Sequence, residues 1–459
     1  MSQEEAQLYL TTISSFLQSN GDATNAALLD EASFFFQKRF YHELSEKLLE
    51  VFVLPKEVSP YLRESAYEIN EKLFLPLRAD ISPFSYIKLT YFVCFSHLSS
   101  EDDRFNDNNF ERALAVLDGA VVSLVAQQQE QGKHAAQCIR ALLLLEEAFR
   151  SDTFQQVQTP HKGKEQQGTT MHTTQSSLQA LAAVPGSGPH TARKILEEAE
   201  QFLSSLQSHE VEDVLLYFLY KARGKDYQLR KQFSEFYHNS FNMVLFAEKA
   251  QLSMSEAELT HLAYQSALSA LLAENVFNVG RFLQFTPFTE RLAPSSPCAW
   301  ALEWLTLFDA GDVKGFAMFY NSHKDVIDRE EDIRATLPQL LHKSRLMALL
   351  HLVFYTPFHK RTFTYQQIAE RCNYNPNQNN NNNNNNNNEE DSVELLLLDA
   401  LAQGIVRGSL DGVEETVLLE WVQPRVLRPE EVHDLASHIH VWREEANKLY
   451  NDLTVLRAE

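Results

Sequence analysis

The residues from Pro429 onward carry apolar side chains at a strict seven-residue repeat. The repeat positions, which we call the heptad seam, are Val432, Leu435, Ile439, Trp442, Ala446, Leu449, Leu453 and Leu456. A helix keeps a period of about 3.5 residues when one stripe faces other helices, whereas an ordinary surface helix follows a period of about 3.6. The pattern therefore predicts a long terminal helix, residues 428–459, whose seam is made for partner helices.

The same seam could instead pack the helix back onto its own domain. We favour external partners, because the repeat continues along the segment without a break. Trp442 lies in the middle of the seam, and a tryptophan buried at the centre of an interface typically contributes at least about 2 kcal/mol. We therefore expect Trp442 to be a principal contact.

Glycine and proline are scarce, which favours a mainly helical fold with short connections. They number 14 and 15 among 459 residues, about half their average share. Residues 1–150 and 193–342 divide into helix-sized pieces with apolar side chains three and four positions apart. Tightly joined short helices predict stacked pairs, so we expect a mainly α chain that begins as a right-handed, TPR-like helical-repeat solenoid.

Two segments interrupt this pattern. Residues 151–192 are rich in polar residues and glycine, and they hold few large apolar side chains. Residues 377–388 are asparagine throughout except for Gln378. Neither segment offers enough apolar surface to offset the entropy of ordering it. We predict a flexible insertion at 151–192 and a disordered loop at 373–391.

Residues 343–427 predict a winged helix. Thr364 can cap a short helix that ends at Arg371, and Gly404 can end a second, apolar helix over 393–403. Two β-like runs follow, 405–410 and 416–422, with a turn between them. Helix, turn, helix and hairpin in this order are the winged-helix plan.

Nucleic acid and anionic membranes are unfavourable partners for this chain. The formal net charge is −22, which repels phosphate groups. The second helix of the winged helix would enter the major groove, yet it lacks lysine and arginine and offers Glu394 and Asp399 instead. A DNA-binding winged helix remains an alternative that predicts salt-sensitive binding, but a protein-binding one agrees better with these residues.

No residue pattern indicates catalysis, a cofactor or a metal. The four cysteines are far apart and are interpreted as buried free thiols. His438 and His440 lie two residues apart, so on a helix they point in different directions and do not grip one ion. A hydrolase remains an alternative class, but neither a nucleophile with its base nor a phosphate loop is present in the sequence. We therefore expect a protein that is not an enzyme.

The wing offers two further candidate residues. We expect Trp421 to be buried, because a single tryptophan on a β-like run usually is. Pro424 should end the strand, and Arg425 is then the expected surface contact for a partner. The exposed edge of the wing could pair with the wing of a neighbouring subunit.

The N-terminal residues lack a basic segment followed by a long apolar one, so we predict no signal peptide. No apolar stretch approaches the roughly 20 residues needed to span a bilayer. We expect a location in the cytoplasm and the nucleus.

A helical-repeat array followed by a winged helix resembles the PCI-domain family. That family occurs in the proteasome lid, the signalosome and translation initiation factor three. Residues 271–280, LLAENVFNVG, and residues 404–411 with 421–427, WVQPRVL, look like the non-ATPase subunit-nine branch in the lid of the proteasome regulatory particle. The resemblance covers about residues 212–427, and the first 210 residues share only helical character.

The resemblance implies a non-catalytic scaffold subunit of the 26S proteasome regulatory-particle lid, which supports lid assembly and ubiquitin-dependent degradation. The implied partners are other PCI-domain lid subunits, reached through the winged-helix edge and a bundle of C-terminal helices. The lid deubiquitinase subunits and a ubiquitin receptor subunit are expected nearby. A PCI subunit of the signalosome or of an initiation-factor complex is the alternative.

Overall fold

The computed structural model of the chain is mainly helical and contains one small sheet. The predicted mainly α class is therefore confirmed. The structure describes residues 3–54, 58–96, 107–158, 188–207, 209–252, 254–294, 296–373, 393–427 and 429–458. The chain divides into two compact units, Met1–Leu259 and Thr260–Glu459, and each is described by itself.

The first unit consists of helices in series. A π-helical turn, Asn70–Phe74, joins the fifth and sixth helices. The helices are α1 Gln3–Ser19, α2 Ala23–Lys38, α3 Tyr41–Phe52, α4 Pro60–Glu64, α5 Ala66–Ile69, α6 Leu75–Leu77, α7 Pro83–Phe95, α8 Asp107–Ala126, α9 Glu130–Gln158, α10 Gly188–Ser205, α11 Asp213–Leu229 and α12 Phe233–Lys249. The boundary between the units falls inside α13, Glu256–Leu272.

The turn between α1 and α2 shows how the sequence separates these helices. Gly21 has a φ of 87°, a conformation that glycine adopts without steric cost. The side chain of Asp22 then accepts a hydrogen bond from the backbone N–H of Asn25 and so caps α2. A glycine turn followed by a side-chain cap therefore separates α1 from α2.

The second unit contains the sheet and the terminal helix. A short 3₁₀ turn, Phe358–Lys360, precedes the first strand. The elements after α13 are α14 Gly280–Gln284, α15 Thr286–Thr289, α16 Ala299–Asp309, α17 Val313–Ser322, α18 Lys324–Ile327, α19 Glu331–Tyr355, β1 Thr362–Thr364, α20 Tyr365–Arg371, α21 Val393–Ala402, β2 Val406–Asp411, β3 Thr416–Val422 and α22 Pro429–Ala458.

The three strands form an antiparallel sheet in the order β1-β3-β2. Helix α19 packs against α20, α21 and β3, so it forms the base of this part of the unit. Thr364 caps α20 through a capping box with Gln367, and Gly404 follows α21 with a φ of 69°. The cap predicted at Thr364 is present, and Gly404 adopts the left-handed conformation expected at a helix end.

One buried lysine in each unit caps a distant helix. Lys88 on α7 donates to the carbonyl oxygen of Ala250, just beyond α12. Lys343 on α19 donates to the carbonyl oxygens of Ala270 (2.7 Å) and Leu271 (2.9 Å) at the end of α13. The last carbonyls of a helix lack intrahelical partners, so these ammonium groups satisfy them. Burial lowers the pKa of both lysines, that of Lys343 to about 7.

Three sequence-derived boundaries fall inside helices of the structure. Helix α9 continues through Gln158 and α10 begins at Gly188, so helix enters the predicted insertion 151–192 from both sides. Residues 159–187 and 374–392, which include most of both predicted flexible segments, lie outside the described residues. The boundary placed between 342 and 343 falls inside α19, which runs without a break from Glu331 to Tyr355 and contains Pro338.

Candidate interaction surface

The terminal helix α22 exposes the heptad seam. Every side chain that the structure describes between Val432 and Tyr450 is exposed, whereas an amphipathic helix packed on its own domain would bury one stripe. The exposed fractions of the large seam side chains are 51% for Val432, 46% for Leu435, 54% for Ile439, 72% for Trp442 and 62% for Leu449. This exposure argues against the alternative in which the helix packs on its own unit.

The exposed apolar surface of α22 is wider than the predicted seam. Val441 and Tyr450 are also exposed, although neither is a seam position. Side chains three or four residues apart are neighbours on a helix, so Tyr450, four residues after Ala446, extends the seam laterally, whereas Val441 lies on a different face of α22. The side chains of Leu453 and Leu456 lie outside the described residues.

The wing places Trp421 on its outer face, so the expectation that Trp421 is buried is wrong. Arg407 pairs with Trp421, whereas Gly408 pairs with Leu419, which makes Glu420 the extra residue of a β-bulge. The bulge reverses the inward and outward alternation of β3, because one extra residue shifts the two-residue period. Trp421 is 37% exposed, and the guanidinium carbon of Arg407 lies 4.8 Å from its ring centre.

Gly408 makes this bulge possible. A Cβ added at Gly408 would overlap the carbonyl oxygen of Leu418 and lie 3.0 Å from the Cα of Leu419. The two strands therefore approach more closely here than any larger residue would permit. The bulge itself was not predicted from the sequence, although an isolated glycine within a β-like run is a known signal of one.

Arg425 is buried within its own unit, so the expectation of a surface contact is wrong. Its Nη2 donates to the carbonyl oxygen (2.8 Å) and the carboxylate (2.7 Å) of Asp309, the last residue of α16. The exposed fractions of these two side chains are 6% and 4%. A buried guanidinium needs an anionic partner to offset the loss of hydration, and Asp309 is that partner. Arg425 thus holds the chain after the wing against the helical part of the unit.

The two sequence stretches that carry the family resemblance contact each other. We call residues 423–427, between β3 and α22, the connector. The backbone N–H of Val426 donates to Oδ1 of Asn278 (3.2 Å), and Nε2 of Gln284 donates to the carbonyl oxygen of Leu427 (2.7 Å). A Cβ added at Gly280 would lie 2.9 Å from that of Val426. The two stretches are therefore parts of one packed junction at the base of α22.

Helix α21, the second helix before the wing, presents apolar and acidic side chains. Leu395 and Leu398 are exposed, at 41% and 48%, one helical turn apart. Asp399 lies 2.7 Å from Nε2 of His342 on α19, which fastens α21 to that helix. This surface lacks the cationic side chains that phosphate contacts require.

The part of the chain that the structure describes shows neither a group of metal ligands nor a membrane-spanning helix. There, no three histidine, cysteine or acidic side chains are grouped as metal ligands would be. His440 lies 3.8 Å from Glu444 on the same helix, and the side chain of His438 is outside the described residues. Among the described helices, none combines the length and the apolar character needed to cross a bilayer.

These features define a class of protein. The chain is mainly helical, it exposes apolar side chains on a terminal helix and on a wing, and it buries the side chain of Arg425, the charged residue expected to be a contact. Exposed apolar side chains of this kind mark surfaces that bind other proteins. These features favour the class of proteins that associate with other proteins.

The comparisons with known proteins narrow this class. A family model described as PSD13 N-terminal repeats matches residues 108–305. The chain is 28% identical to the 26S proteasome non-ATPase regulatory subunit 13 of Dictyostelium discoideum over 267 residues, 57% of this chain and 64% of that protein. It is 27% identical to homolog B of the same subunit from Arabidopsis thaliana, over 58% of this chain and 63% of that protein.

A yeast relative agrees with these two. The chain is 26% identical to the 26S proteasome regulatory subunit RPN9 of Saccharomyces cerevisiae, over 56% of this chain and 60% of that protein. The matches thus span just under two thirds of the length of these relatives. The predicted resemblance to this branch of proteasome regulatory subunits is confirmed, since the chain is similar to proteins named as 26S proteasome non-ATPase regulatory subunit 13 and RPN9. The family match also begins at residue 108, well before the region in which the sequence alone revealed the resemblance.

Proposed function

We propose that the chain is a non-catalytic scaffold subunit of the lid of the 26S proteasome regulatory particle. In this role it would support lid assembly and, through it, ubiquitin-dependent protein degradation in the cytoplasm and the nucleus. The observation that carries the proposal is the exposed heptad seam of α22, in a chain whose relatives are named as proteasome regulatory subunits. The names of two of these relatives also describe them as non-ATPase subunits, which supports a role without catalysis.

The seam acts by burying apolar surface against helices of other subunits. Full burial of one large aliphatic or aromatic side chain contributes about 1.5–3 kcal/mol. Val432, Leu435, Ile439, Trp442 and Leu449 are all available for such burial. Their combined contribution, at most about 7–15 kcal/mol at full burial, is of the same order as the entropic cost of docking.

The same proposal assigns roles to the rest of the chain. The helices of residues 1–150 and 193–342 form a right-handed repeat array, and residues 343–427 form the winged helix of a PCI module. Its first helix, its second helix and the β2–β3 hairpin follow the winged-helix order. In the sheet order β1-β3-β2, strand β2 lies at an edge, which supports pairing with a neighbouring subunit along β2.

The proposed partners are other PCI-domain subunits of the lid, reached through the edge of the wing and through α22. The lid deubiquitinase subunits and a ubiquitin receptor subunit are the proposed neighbours of the N-terminal helices. A place in the signalosome or in an initiation-factor complex is not favoured, because the relatives reported above are named as proteasome regulatory subunits.

The experiment is a reconstitution of the lid with variants of this chain. A truncation that removes residues 429–459, and a double variant Trp442→Ala with Leu449→Ala, should fail to enter the lid on native gels. Both variants keep the rest of the chain. The helix content of the double variant, measured by circular dichroism, should therefore be nearly unchanged. Loss of the apolar seam removes the surface that partner helices would cover.

A matched control lies on the same helix. Glu444→Ala with Lys448→Ala changes two exposed polar side chains that are not seam positions, and it should enter the lid as the unmodified chain does. Normal incorporation of the truncated chain would reject the proposal. Equal loss with the seam and the control variants would show that α22 acts through something other than its seam.

A further inference from the structure

The connector, residues 423–427, is held at nearly every residue although it has no regular secondary structure. The backbone N–H of Gln423 donates to the carbonyl oxygen of Ile405 (2.8 Å). The following residues bond to side chains and backbone of the helical part, as Arg425 does with Asp309. A short segment with its polar groups bound on several sides has little freedom to change direction.

The contacts of the connector come from far away in the sequence. Asn278 and Gln284 belong to the segment around α14, and Asp309 ends α16. The connector, α14 and α16 thus meet at one place. This place lies just before Pro429, the first residue of α22. The base of the terminal helix is therefore fixed to the helical part of the second unit at several independent points.

The terminal helix itself has a different environment. All of its described side chains from Val432 to Tyr450 are exposed, so none of these side chains is buried against the second unit. Its direction is then decided at its base, where the connector is bound. A helix of 30 residues spans about 45 Å. A small rotation at the base would therefore move the far end of the seam by many ångströms.

We propose that Asn278, Gln284 and the Asp309–Arg425 pair form a clamp that sets the direction in which α22 leaves the subunit, and so presents the seam to partner helices. The effect of the clamp on association with partner subunits rests on the proposed function. The clamp residues are positioning residues, since none of them lies on the seam. Pre-organised surfaces bind more tightly because less conformational freedom is lost on binding.

The direction of α22 is measured first in the free full-length chain. Spin labels are attached to Lys448→Cys on α22 and Met318→Cys on α17, both exposed positions, with Cys298 replaced by serine. Double electron–electron resonance then gives the distribution of distances between the two labels. The unmodified clamp should give a narrow distribution, and Asn278→Ala with Gln284→Ala should give a clearly broader one.

Two controls separate positioning from general damage. Asn278→Asp keeps an acceptor oxygen for the N–H of Val426, so it should restore the narrow distribution when Gln284 is intact. Asn321→Ala with Gln339→Ala makes the same chemical changes at exposed sites outside the clamp, and it should leave the distribution unchanged. Thermal unfolding of all these variants should remain close to that of the unmodified chain.

Association is measured second, by the rate at which the chain enters the lid. The clamp variant should enter roughly tenfold more slowly, although its seam is intact. An unchanged distance distribution in the clamp variant would overturn the inference, and so would a broadened distribution with an unchanged rate of association. Failure of the proposed function is distinguishable from failure of this inference. It would appear as normal entry of the Trp442→Ala with Leu449→Ala variant into the lid, whatever distances the electron–electron resonance measures.

Discussion

The ion pair between Arg425 and Asp309 predicts a large loss of stability when Arg425 is replaced by alanine. Arg425 donates to both the carboxylate (2.7 Å) and the carbonyl oxygen (2.8 Å) of Asp309, and both side chains are buried. Arg425→Ala leaves the carboxylate of Asp309 buried without its cation. Breaking a buried pair in this way costs about 3–5 kcal/mol, which is the expected fall in the free energy of unfolding of the second unit.

The tryptophans provide an assay that is specific to this unit. All four of them, Trp300, Trp304, Trp421 and Trp442, lie between Thr260 and Glu459. Tryptophan fluorescence during a urea titration therefore follows the second unit of the full-length chain. The variant should shift the midpoint of the titration to a lower concentration without a large change in slope.

Two companion variants make the test sharper. Arg334→Ala removes an exposed arginine from α19 and should change the free energy of unfolding by about 0.5 kcal/mol or less. Asp309→Asn with Arg425→Met removes both charges, so it should cost less than Arg425→Ala alone. A loss below about 1 kcal/mol for Arg425→Ala, or a double variant at least as destabilised as Arg425→Ala, would refute this account of the pair.

Three further changes test other parts of the second unit. Gly408→Ala should lower the free energy of unfolding by about 1–3 kcal/mol, since the new Cβ overlaps the neighbouring strand. Gly412 has open space around it, so Gly412→Ala should be nearly neutral in the same urea titration. Trp421→Ala should lower the free energy of unfolding by about 1 kcal/mol, well under the loss for a buried tryptophan, because the main described contact of Trp421 is Arg407. Circular dichroism during a urea titration measures this loss. The pKa of Lys343 is lowered to about 7 when folded, so the unfolded state binds more protons above that pH. Stability should then rise by about 2 kcal/mol between about pH 7 and pH 9 relative to Lys343→Met, in paired titrations at the two values.

Local features of the second unit could be predicted from the sequence because neighbouring residues decide them. Thr364 and Gln367 cap α20, and Gly404 adopts a positive φ after α21. The runs predicted as strands at 405–410 and 416–422 correspond to strands Val406–Asp411 and Thr416–Val422. Caps, turns and alternation depend on residues within a few positions of each other, so one sequence contains the whole signal.

The environments of Trp421 and Arg425 could not be predicted, because distant or irregular structure decides them. The partner of Arg425 is Asp309, which is remote in the sequence and is brought near only by the packing of α16. The exposure of Trp421 follows from one bulge, and a single extra residue reverses the face of every later residue in the strand. Strand β1 was also missed, since Thr362–Thr364 is too short to show a period.

The seam was the part of the candidate site that the sequence revealed best. A strict heptad is visible without any knowledge of the fold. The exposure of Ile439 and Trp442 agrees with a surface that binds other helices. The lateral extension through Tyr450 and the exposure of Val441 on another face were not anticipated. Those residues fall outside the heptad positions, so a search for periodicity passes over them.

The central claim is that partner helices cover the seam of α22, and chemical protection of one seam position tests it most directly. Val432→Cys, in a chain with Cys298 replaced by serine, is exposed in the free subunit and should react quickly with a maleimide there. In the assembled lid its reaction should slow by at least about tenfold, whereas Lys448→Cys should keep its rate in both states. Equal reactivity of Val432→Cys in the free chain and in the lid would contradict the account.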